Sequence, residues 1–556
     1  MTLIKGFSDV EMFIDTLSTL GVNCFFGCDD HEFLLSNENS TVRYVRLQHE
    51  QAAVHAADGF ARATGRPGVV LLTTASGITN SITGIATAYS DSVPVVIIAG
   101  QIQNNSLHNH HEAFHDLDIS GLTTAITKHT LKINTIECIK DGLKQALSIA
   151  ADGRPGPVLL ELTTNTTINE AQNHRFGRIA SKSRCQENSL KMAIDLIESA
   201  RKPVIFIGGG VIASGAADPL REVIKQSRIP VVSSLLGIGA MEARNPLYLG
   251  MLGMHGTFAA NKAVHHCDLL VSIGVRFSDR VTGRISGFSP SSKRIHVDID
   301  PAEINKIISV DVPIVSDAKE FLLSLENQLD YPKITANTES WTTEVVGWKR
   351  TVPRFDHSNS VLNPQTVIRM LSDHSTQDTV VVTDVGQHQI WTAHHYAFTQ
   401  PRTLITSGGL GTMGYGLPAG IGAAAACPGR SVICVSGDGS FQMNLQELIT
   451  AVKYQLPLKI AILNNGYLGM VRQWQELFYQ RRYSEVKMGS PNFAQLAQAY
   501  GVAGFSAQTE EEAKQIVSEA FQHTGPVLME FNIMEEENVY PMVPPNHNNH
   551  QTILSR

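Results

Sequence analysis

Gly437-Asp438-Gly439 closes an apolar run of strand length, and a second such run ends in Asn464-Asn465. Two strand ends lying side by side can offer Asp438 and the Asn465 side chain, both hard oxygen ligands, to one Mg2+ ion. The flanking glycines let the backbone approach a diphosphate closely, with amide donors directed at the anion. An isolated G-D-G is a tight turn; the Asn-Asn pair at this separation, between two buried strands, makes it a candidate Mg-diphosphate site. Nearer the N-terminus, LQHEQAAVHAADGFARATGRPG sets Glu50 at a helix start beside Ala52, Ala53, Ala56 and Ala57. Taken alone, such a carboxylate is the ordinary partner of a helix dipole. Gly208-Gly209-Gly210 ends another strand, as a phosphate-binding turn does and as many plain loops do. His108, His110, His111 and His115 crowd one stretch, where imidazoles could bind a transition metal, shuttle protons or simply be solvated.

Positioning such groups takes several sheets. The 556 residues exceed what one hydrophobic core supports, and length alone suggests three or four domains. Strand candidates alternate with helical patterns: VVLLTT after Pro67-Gly68, VPVVIIAG to Gly100, then 157–162, 203–210, 268–274, 294–300, 379–384, 431–439, 458–465 and 526–531. Most are continuous apolar runs, as strands covered on both faces are, so the fold class is α/β with doubly wound parallel sheets. Two polar stretches without an apolar period, 164–190 and 331–362, read as linkers. They divide the chain into domains over 1–165, 188–330 and 362–545.

Composition narrows the class. An apolar fraction of 43% with 17% charged residues is globular rather than disordered. The net charge of −8, with no long basic run, argues against nucleic acid as a partner. Seven scattered cysteines with no C-x-x-C pair argue against a disulfide framework and a zinc site, and fit a reducing compartment. Acidic residues interrupt the N-terminus where a signal peptide needs apolar ones, and no run of ~18 apolar residues follows. The expectation is a cytoplasmic protein with no membrane partner.

G-D-G followed by N-N resembles the Mg-diphosphate motif of thiamine diphosphate (ThDP) enzymes. The surrounding text, GDGSFQMNLQELITAVKYQLPLKIAILNNGYLGMVRQWQELFYQRRYSE, closely resembles the catalytic subunit of acetohydroxyacid (acetolactate) synthase, and the likeness extends over roughly residues 5 to 545. The resemblance implies three ThDP-enzyme domains, binding the cofactor pyrimidine, FAD and the diphosphate in chain order. It implies Asp438, Asn465 and the Tyr467 carbonyl as Mg2+ ligands. Gly386, Gln387 and His388 in TDVGQHQIW, with Gly411, Gly437, Gly439, Ser440, Leu468 and Met470, would contact ThDP, and Met413 would prop it into its bent shape. Glu50 matches the family glutamate that hydrogen-bonds the pyrimidine, so that the cofactor's own imino group can take the proton from thiazolium C2. Because that glutamate serves a cofactor whose diphosphate another subunit holds, a homodimer or homotetramer is implied. The FAD segment carries over to Arg154, Gly208, Gly209, Gly210, His255, Gly256, Arg276, Asp298, Asp300, Asp317 and Ala318. Carboligation needs no net redox, so the flavin would be structural.

Pyruvate would be the donor and a carbonyl compound the acceptor, with Gln101, Phe114, His115 and Trp474 as further active-site residues. Four departures from the family surround the acceptor. Gly27-Cys28-Asp29-Asp30-His31 replaces Tyr-Pro-Gly-Gly, and Ala113-Phe114-His115-Asp116 replaces Ala-Phe-Gln-Glu. Thr163-Thr164-Asn165 replaces Pro-Lys-Asp, and the tail reads NHNNHQTIL. Two acceptor classes therefore stand open, a 2-keto acid or a ketone such as a nucleotide-linked keto sugar. A histidine-assisted 2-keto acid decarboxylase and a flavin-dependent pyruvate oxidase are further alternatives.

Overall fold

In the computed structural model, residues 7–28, 42–100, 117–133, 138–162, 186–351 and 361–555 are described. They fold into three six-stranded sheets in which every pairing is parallel. The first holds β1 (Cys24–Gly27), β2 (Arg43–Arg46), β3 (Gly68–Leu72), β4 (Val95–Gly100), β5 (His129–Ile133) and β6 (Val158–Leu162), in the order 2-1-3-4-6-5. The second holds β7 (Pro203–Ile207), β8 (Val231–Ser233), β9 (Tyr248–Met251), β10 (Leu269–Ile273), β11 (Lys293–Asp298) and β12 (Val312–Val315), ordered 12-11-10-7-8-9. The third holds β13 (Val380–Thr383), β14 (Leu404–Ile405), β15 (Val432–Gly437), β16 (Leu458–Asn464), β17 (Ala503–Ala507) and β18 (Val527–Asn532), ordered 14-13-15-16-18-17. The first and third sheets thus share one winding. The second, counted from its own first strand, has the 3-2-1-4-5-6 order of dinucleotide-binding sheets.

The outer domains pack directly on one another. Helix Glu50–Thr64 crosses helix Gly416–Ala426, and a methyl group on Gly59 or Gly422 would overlap the carbonyl oxygen of Ala419 or Ala56 respectively. Ala52, Ala53, Ala56 and Ala57 are fully buried, and one apolar core runs continuously from the first domain into the third. The small residues that flank Glu50 in sequence are what permit this approach.

One linker expectation is corrected. Tyr331–Trp348 is an 18-residue helix, not an irregular connection. Its buried residues Ile334, Thr338, Trp341 and Val345 recur at helical spacing, and the Trp341 indole N–H donates to the Pro203 carbonyl at 3.1 Å. Threonines and asparagines diluted the stripe below what hydropathy reveals. The other polar stretch lies mostly outside the described residues; its last positions open helix Glu187–Ser199.

Candidate active site

In open α/β sheets ligands sit beyond the carboxyl ends of strands where the strand order reverses. In the third sheet that point lies between β13 and β15, and Asp384 stands at it. Asp384 is 1% exposed, and its carboxylate accepts the backbone N–H groups of Val385, Gly414 and Gly416 at 2.8, 2.9 and 2.9 Å. Burial pushes its acid up to about 6. The Gly414 and Gly416 amides tie the 411–416 loop to the end of β13. Gly386 then caps helix Gln387–His395, which carries Gln387 and His388. Gln387 donates to Gln473 and to the Glu537 carbonyl, both at 2.9 Å, and its own oxygen faces the Asn465 amide at 3.4 Å. The His388 Nε2 is buried without a partner among the described residues, and burial pushes the imidazole down to about 3.

Strands β15 and β16 are adjacent, with Gly437 opposite Leu463, so their ends bring Asp438 and Asn465 together. The Asp438 carboxylate accepts the Ser490 hydroxyl at 2.8 Å, and burial raises its acid. The Asn465 side-chain oxygen accepts the Tyr467 amide at 3.1 Å, closing the turn that presents the Tyr467 carbonyl. Two buried oxygen ligands on neighbouring strand ends suit a hard divalent cation. Gly411, at φ 70, has only Val385 near its missing Cβ, so the backbone there leaves room that a side chain would take.

These groups line a cavity of about 1200 Å3 shared by all three domains. Gly386, Gln387, His388, Gly411, Met413, Gly437, Asp438, Gly439, Ser440, Asn465, Tyr467, Leu468 and Met470 all border it. The opposite wall is the switch point of the central sheet, between β7 and β10, where Gly209, Gly210, His255, Arg276, Asp298, Asp317 and Ala318 line the same space together with Arg154. Arg276 has its guanidinium acidity increased by burial and by Arg154 nearby. Burial pushes Asp298 up to about 6 and His255 down to about 3, and the His255 Nδ1 has no partner among the described residues. Asp317 caps helix Ala318–Glu326. An imidazole with one buried ring nitrogen left without a partner among the described residues on each wall, small residues at both switch points and a dinucleotide strand order fit a diphosphate on one side and a dinucleotide on the other.

Three positions expected at the flavin do not border the cavity. A Cβ on Gly208 would overlap the Gly274 carbonyl, and one on Gly256 would come within 2.6 Å of the Gly253 nitrogen and the Met251 carbonyl, so both glycines serve close backbone crossings. Asp300 instead holds Arg154 at 3.1 Å, alongside Glu303 at 2.7 Å. Glu50 begins its helix, accepts the Asn80 amide at 3.0 Å and does not line the cavity of its own chain. Trp474 lies on helix Gly469–Phe478, edge-on to Phe478 at 5.3 Å, also off the cavity. Gln101, Phe114 and His115 lie outside the described residues, as do His108, His110, His111, Asp29, Asp30, His31 and the Thr163-Thr164-Asn165 segment.

Sequence reasoning overlooked Asp384 and a second buried acid, Asp91. Asp91 accepts the Arg62 guanidinium at 2.7 Å and the amides of Gly408 and Gly409 at 3.0 and 2.6 Å, holding the loop that leads to Met413. Asp384 follows an otherwise apolar strand, a signal that a buried carboxylate has backbone work to do, whereas Asp91 ends a helix of mixed polarity and carries no such signal.

Comparison with known proteins agrees with this geometry. Residues 9–122, 190–325 and 384–531 match the N-terminal TPP binding, central and C-terminal TPP binding domains of thiamine pyrophosphate enzymes. The chain is 40% identical to the acetolactate synthase isozyme 2 large subunit of Escherichia coli K12, covering 97% of this chain and 98% of that one. It is likewise 40% identical to the acetolactate synthase large subunit of Haemophilus influenzae, covering 100% and 99%. Against the probable acetolactate synthase large subunit of Methanocaldococcus jannaschii the identity is 42%, over 96% and 93%. The chain therefore belongs to the thiamine pyrophosphate (ThDP) enzymes, within the acetolactate synthase large-subunit family.

Proposed function

We propose that this enzyme decarboxylates pyruvate and joins the two-carbon unit to a second 2-keto acid, using ThDP and Mg2+ on the C-terminal domain and a non-redox FAD on the central domain. The observation that supports this most is the cavity wall where Asp438, Asn465, His388 and Met413 converge, in a chain similar from end to end to acetolactate synthase large subunits. ThDP supplies the nucleophilic carbon that adds to the pyruvate keto group and takes up the electron pair released with CO2. The chain's own residues bind and orient. Asp438, Asn465 and the Tyr467 carbonyl offer oxygens to Mg2+, while the Gly386 turn and His388 Nε2 meet the diphosphate. Met413, which lines the same wall, would support the cofactor's bent shape. The Glu50 carboxylate shares a proton with the pyrimidine nitrogen of a cofactor bound to a second copy, a reading supported by its place outside its own chain's cavity. Arg276 offers positive charge to the acceptor carboxylate, and Gln101, Phe114, His115 and Trp474 are the further active-site residues that the family resemblance assigns to the reaction. Holding donor and acceptor in line while excluding water prevents premature protonation of the reacting carbon.

The names of the relatives favour a 2-keto acid acceptor over a nucleotide-linked keto sugar. No helix among the described residues is long and apolar enough to cross a membrane. Product analysis tests the reading: pyruvate alone should yield acetolactate, pyruvate with 2-ketobutyrate should yield the mixed product, and a strong preference for a keto sugar would overturn it. Anaerobic pyruvate should bleach the flavin far more slowly than turnover, and sedimentation of the holoenzyme should give a dimer or tetramer.

A further inference from the structure

Glu447 belongs to the C-terminal domain, on the turn that follows the Gly437-Asp438-Gly439 loop, yet its carboxylate is spent on the N-terminal domain. It is fully buried. Its Oε1 accepts the backbone N–H groups of Gln48 and His49 at 3.0 and 3.2 Å, and its Oε2 accepts Gln48 again at 3.2 Å and the Thr450 hydroxyl at 2.8 Å. Those two amides immediately precede the helix that Glu50 begins, and lie outside its internal hydrogen-bond ladder. On the far side of Glu50, His49 Nδ1 caps the Gln51 amide at 3.1 Å. The same approach segment is held once more from the C-terminal domain, where the Tyr454 hydroxyl accepts the Arg46 amide at 2.8 Å. The backbone carrying Glu50 is thus clamped from outside its own domain.

We propose that Glu447, as an ionised carboxylate, is the positioning residue for Glu50. The inference rests on the role assigned to Glu50 above and extends it to a residue that touches neither cofactor nor substrate. Two of the three neighbours are backbone amides, which can only donate, and the Thr450 hydroxyl donates as well, so the ionised form satisfies all three; a proton on Oε1 would face both amides, and one on Oε2 would turn the Thr450 hydroxyl into an acceptor and weaken the hold on Gln48. The charged and titratable groups nearby are the Arg46 guanidinium and the His49 imidazole on the first domain, with only neutral Thr450 from its own element. Burial pushes the Glu447 acid up to about 7, against the pull of the Thr450 hydroxyl, the two amides and Arg46. As pH falls through that value, protonation should loosen the backbone that carries Glu50.

The test compares wild type, Glu447→Gln and Thr450→Val as full-length holoenzymes, with Glu50→Gln as reference. Hydrogen exchange of the 45–52 backbone, read on the cofactor-free chain as well, should quicken at least tenfold in Glu447→Gln. Its kcat should fall 10- to 100-fold with KM for pyruvate and ThDP affinity within twofold, and the acid limb of kcat near pH 7 should vanish. Thr450→Val keeps the carboxylate but removes one donor that favours its charge, so the limb should move to higher pH; this variant carries the test if Glu447→Gln does not fold. Unchanged exchange with an unmoved limb would overturn the proposal. Near-normal turnover in Glu50→Gln would instead overturn the role of Glu50 itself, whatever the Glu447 variants do.

Discussion

Where helix Glu50–Thr64 crosses helix Gly416–Ala426, the backbones of the outer domains nearly touch; across the central domain, the same C-terminal domain faces a cavity of about 1200 Å3. The seam is close-packed around Ala and Gly, with His55 buried edge-on to Tyr415 at 5.2 Å and the Tyr415 hydroxyl donating to the buried Asp58. The cavity wall sets arginines, acids and imidazoles with one ring nitrogen free of any partner among the described residues into a largely apolar lining. Close-packed backbone cannot shift by fractions of an ångström without cost, whereas an open wall can accommodate ligands and exchange them. Glu50 stands at the start of the seam and the candidate cofactor-binding groups stand on the wall, so the acid at the start of the seam is carried by the segment where packing is least forgiving.

The largest effect should come from removing that acid's charge while leaving the seam alone. Glu50→Gln should lower pyruvate consumption by roughly 100-fold or more, with ThDP binding and Tm preserved; near-normal turnover would detach the acid from the chemistry. Next is the seam itself. Gly422→Val forces atoms into the Ala56 carbonyl, and overpacking of this kind costs about 1–3 kcal/mol or more. Tm should fall by several degrees and activity should fall with it, whereas an unchanged Tm would mean the seam is looser than drawn.

A third test uses protons. Burial holds His55 in the seam, and His255 and His388 on the wall, down to about 3. The unfolded chain takes up those protons near pH 6.5 and the folded chain does not, so stability is full above that value and declines as pH falls towards 3, by about 1.4 kcal/mol per imidazole per pH unit. Chemical denaturation at pH 7 and pH 5 should show the loss, and a flat midpoint would contradict it. The smallest effect belongs to the rim of the cavity. Arg154 and Asp300 are 30% and 24% exposed, and Asp300→Asn should change stability by less than ~1 kcal/mol in thermal unfolding. A larger loss would mean that the open wall is braced as firmly as the seam.

Central strands such as β4 and β15 were legible because both faces are covered, leaving uninterrupted apolar runs. Edge strands such as β5 and β17 were not, since HTLKI and AGFSA bury only part of one face. The candidate Mg-diphosphate loops were readable because Asp438 and Asn465 sit at the ends of such runs. Asp384, Asp91 and Glu447 were not read as site residues, because their partners are backbone amides far away in sequence, and no local pattern announces a distant donor. The shared winding of the outer sheets was equally invisible, since it lies in strand order rather than in residues.

The common core of the outer domains also has a consequence for biosynthesis. Helix Glu50–Thr64 emerges early, but the helix that covers its Ala and Gly face ends only at Ala426. At ~5–20 residues per second the ribosome needs roughly 20 to 70 s to deliver it. For that interval the Ala and Gly face of the N-terminal domain has no partner to cover it, and its packing can be completed only when about three quarters of the chain has been made.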